Sequence, residues 1–78
     1  MTINIDMTQT STIYVEDDNT IVDYPVLWNY RSGDYVAIID VLEDCAMAYN
    51  IELEGNNMII TNKRPFYISE YDIRHNYR

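Results

Sequence analysis

Residues 34–50 of this 78-residue chain read DYVAIIDVLEDCAMAYN. Apolar side chains recur at Tyr35, Ile38, Leu42, Cys45 and Tyr49, spacings of three and four that draw one stripe down an α-helix. Asp34 suits the N-cap, where a carboxylate accepts a backbone N–H, and Asn50 suits the left-handed residue that ends a helix. No Gly or Pro interrupts Tyr35–Tyr49, so the spacing predicts a central helix of about four turns, roughly 22 Å long. Its solvent side would carry Asp40, Glu43 and Asp44 with no Lys or Arg to offset them. Like charges at such offsets destabilise a helix by about a few tenths of a kcal/mol each, so a neutralising Lys is the expected choice and its absence is a signal.

Working outward, Thr2–Met7 alternates Ile3, Ile5 and Met7 with Asn4 and Asp6, a period of two that predicts a half-buried strand. Thr12–Glu16 and Thr20–Tyr24 are rich in β-branched and aromatic residues and flank the turn chemistry of Asp17-Asp18-Asn19, predicting a hairpin. Pro25 cannot donate to a ladder and marks a strand end or a sheet edge. On the other side, Ile51 and Leu53 alternate with Glu52 and Glu54, and Gly55-Asn56-Asn57 turns the chain into Met58–Thr61, a second hairpin. Phe66–Ile68 is extended, and Ser69-Glu70-Tyr71-Asp72 resembles a capping sequence that opens a short last helix. The element order β-β-β-α-β-β-α predicts one compact α+β domain over residues 1–78, an antiparallel sheet of about four to five strands packed on the central helix. A winged-helix reading lacks two earlier helices and a cationic face.

The charge layout narrows function. Thirteen acids against five Lys and Arg leave −8, and residues 1–60 hold eleven of those acids with Arg31 as their one base. Lys63, Arg64, Arg74 and Arg78 stand in the last eighteen residues. Such a field repels phosphate backbones and anionic lipid and attracts cationic surfaces, so direct nucleic-acid or membrane binding is not expected. No apolar run approaches the roughly 20 residues of a membrane span, and the N-terminus lacks a signal-peptide pattern, so the cytoplasm is the expected location. A lone Cys45 makes no internal disulfide.

Chemistry-bearing patterns are sparse. Cys45 and His75 are the sole nucleophile-and-base candidates, and Cys45 sits on the apolar stripe, where a thiol is a small inert hydrophobe. Glu16-Asp17-Asp18 lacks the alternating ligands and distal Glu of a calcium loop. Arg31-Ser32-Gly33-Asp34 has one glycine and a carboxylate that repels phosphate. No catalytic residue, cofactor or metal is expected. Binding is the stronger signal. Eight tyrosines, Tyr24 and Tyr30 among them, combine apolar area with a polar tip, and Trp28 offers an anchor.

The expectation is a non-enzymatic inhibitor whose acidic surface docks on a basic site of a nucleic-acid-handling protein, as a monomer or homodimer. Asp40, Glu43, Asp44, Glu52 and Glu54 would form its centre, with Glu16, Asp17, Asp18, Asp23, Tyr24 and Tyr30 around it. In size and charge alone the chain resembles the compact inhibitors that bacteriophages use against host nucleases, DNA mimics and anti-CRISPR proteins, which would act in the host cytoplasm. The alternative is a structural subunit that oligomerises through tyrosines and an exposed strand edge.

Overall fold

The stretch 34–50 is a β-hairpin, and no α-helix occurs among the residues described by the computed structural model, 4–74 and 77–78. In chain order the strands are β1 (Ser11–Val15), β2 (Thr20–Tyr24), β3 (Val26–Asn29), β4 (Asp34–Val41), β5 (Cys45–Asn50), β6 (Glu52–Glu54), β7 (Asn57–Ile60), β8 (Phe66–Ser69) and β9 (Ile73–Arg74). The expected α+β fold with a central helix is therefore replaced by two β-sheets, in the orders β2-β1-β7-β6 and β8-β5-β4-β3-β9. The expected C-terminal helix is a single 3-10 turn, Glu70–Asp72, whose N-cap Ser69 accepts the Tyr71 N–H.

The reason lies in how β4 is buried. Val36 and Ile38 face one apolar cluster and Ala37 faces another, so the strand shows no polar alternation and its apolar run mimics a helical stripe. The β-branched residues Val36, Ile38, Ile39 and Val41 favour the pleated form instead. Register slips between Ile38 and Asp40, a bulge that further breaks the period of two. The chain reverses at Glu43-Asp44, where the Leu42 N–H donates to the Cys45 carbonyl at 2.9 Å. Three carboxylates without a base, anomalous on a helix, are unremarkable at the wet end of a hairpin.

Both flanking hairpins lie where their turn residues put them. β1 and β2 pair from Ser11↔Tyr24 to Val15↔Thr20, and β6 and β7 from Glu52↔Ile59 to Glu54↔Asn57. Gly55, at φ 64°, takes the first central position of the β6–β7 turn, where positive φ would strain a residue with a Cβ. Residues 4–10 form no strand; the Gln9 N–H closes a turn on the Asp6 carbonyl. Thr2 and Ile3 of the predicted first strand lie outside the described residues.

Two strands pass from sheet to sheet and bind the layers together. β2 leads into β3 through buried Pro25, whose carbonyl accepts the Ile38 N–H at 2.9 Å, and β5 leads into β6 through Ile51, whose N–H donates to the Tyr35 carbonyl at 3.2 Å. Ile13, Val15, Val26, Ala37, Ile51 and Ile60 fill the space between the sheets. The second cluster, Leu27, Val36, Ile38, Ala46, Ala48, Ile68 and Ile73, lies on the other face of the five-stranded sheet. That sheet must curl around it. Its edges, β8 and β9, are joined from Ser69 to Ile73, a span of at most roughly 14 Å, whereas a flat sheet would hold them roughly 19 Å apart.

The ends of the described chain meet beside this curled sheet. The Asp6 N–H donates to the Tyr77 hydroxyl at 2.8 Å, and the Arg78 N–H donates to the Val26 carbonyl at 3.0 Å. Hydrogen bonds from the Thr8 hydroxyl, then the Thr8 N–H, hold the Asp6 carboxyl below its ordinary value of 3.8. A depressed carboxylate stabilises the fold above the unfolded pKa and loses that contribution as pH falls through the folded one. The Asp6 side chain should therefore titrate below 3.8 by NMR, and a midpoint at or above that value would show the Thr8 hydrogen bonds to be absent. Ile13 is fully buried, and Ile13→Ala should cost about 2–5 kcal/mol in urea unfolding; a loss below about 1 kcal/mol would place Ile13 outside the core.

Candidate functional site

Without a helix, Asp40, Glu43 and Asp44 do not share a helical face. Glu43 and Asp44 occupy the β4–β5 turn, and Asp40 follows the bulge, its carboxylate accepting the Val41 N–H at 2.9 Å. Glu16, Asp17 and Asp18 form the β1–β2 turn, where Lys63 pairs with Asp18 at 2.6 Å. Asp23 stands on β2 and accepts from the Thr12 hydroxyl at 3.0 Å. Tyr24 is half-buried against the inter-sheet core, whereas Tyr30 is 64% exposed with the Arg74 guanidinium 4.2 Å over its ring.

Glu52 and Glu54 lie on β6, one edge of the four-stranded sheet, and Asp23 lies on β2, the other edge. Register puts Asp23, Thr12, Ile21, Tyr14, Ile59, Glu52, Asn57 and Glu54 on one outward face. Three strand spacings, roughly 14 Å, separate its two acidic margins. The carboxylates thus form separate groups rather than the single central cluster expected from a helix.

One group is built into a cleft. Where β6 peels away from β4, Trp28, Gly33, Asp34, Tyr35, Ile51, Glu52, Leu53 and Glu54 line an open cleft of about 440 Å³. Trp28 and Tyr35 are cross-strand partners with ring centroids 4.9 Å apart in an edge-to-face contact. Leu53 is 41% exposed at the β6 edge. Asp34, at the start of β4, is the residue predicted as a helix cap; here it follows Gly33, which ends the β3–β4 loop at φ 73°. Buried Asn29 shapes that loop by accepting the Arg31 and Ser32 N–H groups. Asp34, Glu52 and Glu54 take no ion pair or side-chain hydrogen bond among the described residues. Arg64 shares a smaller hollow with Glu52, and Arg78 reaches Tyr35 of the cleft wall, its guanidinium donating to the ring hydroxyl at 3.4 Å.

The other bases are held by contacts within the chain, Arg78 at the cleft's own Tyr35. Arg31 reaches Asp72 at 3.9 Å, and the Arg78 guanidinium sits 4.9 Å from the Tyr35 ring centre. Hydrogen bonding to Asp18, then its charge, raises the Lys63 ammonium pKa. Only Asp18 and Asp72 of the thirteen acids form ion pairs among the described residues.

Cys45 begins β5 rather than lying on a helix. Burial, then the charge of Asp44 and a hydrogen bond to it, pushes the thiol pKa up, against activation as a nucleophile. His75, its proposed partner, lies outside the described residues. No group of three or more His, Cys, Asp or Glu among the described residues is placed to hold a metal, and no helix there is long and apolar enough to cross a membrane. Cys45 should alkylate with iodoacetamide several-fold more slowly than a free cysteine at neutral pH; equal rates would contradict the raised pKa. Comparison with known protein families, curated proteins and solved structures finds no match to this chain.

Proposed function

We propose that this chain is a non-enzymatic binding protein whose carboxylate surface docks on a basic protein site, of the kind that otherwise holds nucleic-acid phosphates. The observation that carries this reading is the cleft between β4 and β6, where Asp34, Glu52 and Glu54 surround exposed apolar area without an ion-paired base. Aromatic rings beside carboxylates suit a cationic side chain, which gains Coulomb attraction and a ring face together. The acidic turns at Glu16–Asp18 and Glu43-Asp44 extend the field that steers such a partner. Inhibition would be steric and electrostatic: the partner's basic site is filled, and its nucleic acid is excluded.

The triple variant Asp34→Asn, Glu52→Gln, Glu54→Gln tests this reading. A partner captured from lysate at low salt and released at high salt should be a nucleic-acid binder, and duplex should compete for it. The triple variant should lose that capture while melting at the same or a higher temperature, because it relieves like-charge repulsion. Capture that survives both the variant and high salt would sink the reading.

The outer face of the four-stranded sheet supports a second reading, self-assembly. Ile21 is 68% exposed beside Tyr14, around a hollow of about 450 Å³ that Ile59 also lines. An assembly subunit would sediment as a salt-insensitive oligomer that Ile21→Lys dissociates; a monomer at all concentrations would exclude it.

A further inference from the structure

We infer that the cleft takes its partner as an extended basic segment that adds a strand to β6. This rests on the acidic docking proposed above and names the form of the docked element.

Register supplies the first argument. Glu54 and Asn57 flank the two-residue turn and exchange its ladder hydrogen bonds, so along β6 the pairs alternate: Glu52 and Glu54 direct their backbone groups to β7, and Leu53 directs its N–H and C=O away. The same alternation sends the Ile51 N–H away from β7, and it is this group that bonds the Tyr35 carbonyl of β4. One residue pair further, β6 has diverged from β4 and the outward row at Leu53 opens into the cleft. An edge strand presenting an unpaired donor and acceptor is a template for another chain.

Charge supplies the second. A bare apolar edge would invite self-pairing, but Glu52 and Glu54 stand two residues apart on the same face, roughly 7 Å from one to the next. A strand laid beside β6 repeats that period, so Lys or Arg at alternate positions meets both carboxylates. The intervening residue of that strand turns to the other face, towards Leu53, Trp28 and Tyr35. Asp34, across the cleft on β4, offers a further carboxylate to a basic residue. A second copy of this chain would place Glu52 and Glu54 against like charge, which the occupant proposed here avoids. The recognised element is therefore basic–apolar–basic in extended form.

The probes are a synthetic Arg-Val-Arg-Val-Arg peptide and the same peptide N-methylated at the backbone N–H groups of its valines and at that of its central arginine, which keeps the charge and removes donors for the Leu53 carbonyl. Binding to the full chain is followed by Trp28 fluorescence and by the Leu53 amide in NMR. The unmodified peptide should bind about tenfold more tightly and shift the Leu53 amide, and Glu52→Gln with Glu54→Gln should weaken it by at least about tenfold. Equal binding of the two peptides overturns strand addition. Binding by neither also overturns it. In both cases the docking reading stands or falls separately on capture by the triple variant.

Discussion

β4 has to satisfy two hydrophobic surroundings at once. Val36 and Ile38 close the curled five-stranded sheet from within, while Ala37 faces the second sheet, where a small side chain lets the layers approach. A strand buried on both faces needs covering layers on both, and a chain of this length obtains them by sending β2 into β3 and β5 into β6 across the gap between sheets. Pro25 and Ile51 are the crossing points. The cleft follows from the second crossing, because β6 can join the four-stranded sheet only by leaving β4.

What could be read from the sequence divides along the same line. β1–β2 and β6–β7 were legible because each has one solvent face, hence alternation, and turn residues of known geometry: Asp17-Asp18-Asn19, with Asn19 at φ 52°, and Gly55. The hairpin of β4 and β5 was not, since double-sided burial erases alternation and the Glu43-Asp44 turn contains no glycine. Its arbiters were the β-branched residues of β4, which outweigh a stripe at helical spacing. Ser69 marked a real cap, but of a 3-10 turn.

The binding surface was legible residue by residue and not as a place. Glu52 and Glu54 stood out by composition, yet their neighbours Asp34, Trp28, Tyr35 and Leu53 come from strands whose pairing no local pattern reveals. Asp34 was masked by a role it does not have. A hint was present in Gly33, which ends a four-residue loop before β4 as Asn19 ends one before β2, both in the left-handed region. Among the described residues the C-terminal cations form no ion pair with Asp34, Glu52 or Glu54: Lys63 is on Asp18, Arg74 over Tyr30, and Arg78 over Tyr35 at the cleft wall.

The parallel pairing of β1 with β7 joins Tyr14 to Ile59, and β9 closes on β3 by joining Arg74 to Trp28. Each ladder ties positions some 45 residues apart, so loop-closure entropy is spent before either contact repays it. Contact order favours closing the local hairpins before them. A chain in which those long ladders are still open exposes the apolar undersides of β1 and β3, and a net charge of −8 is then a repulsion between half-assembled copies.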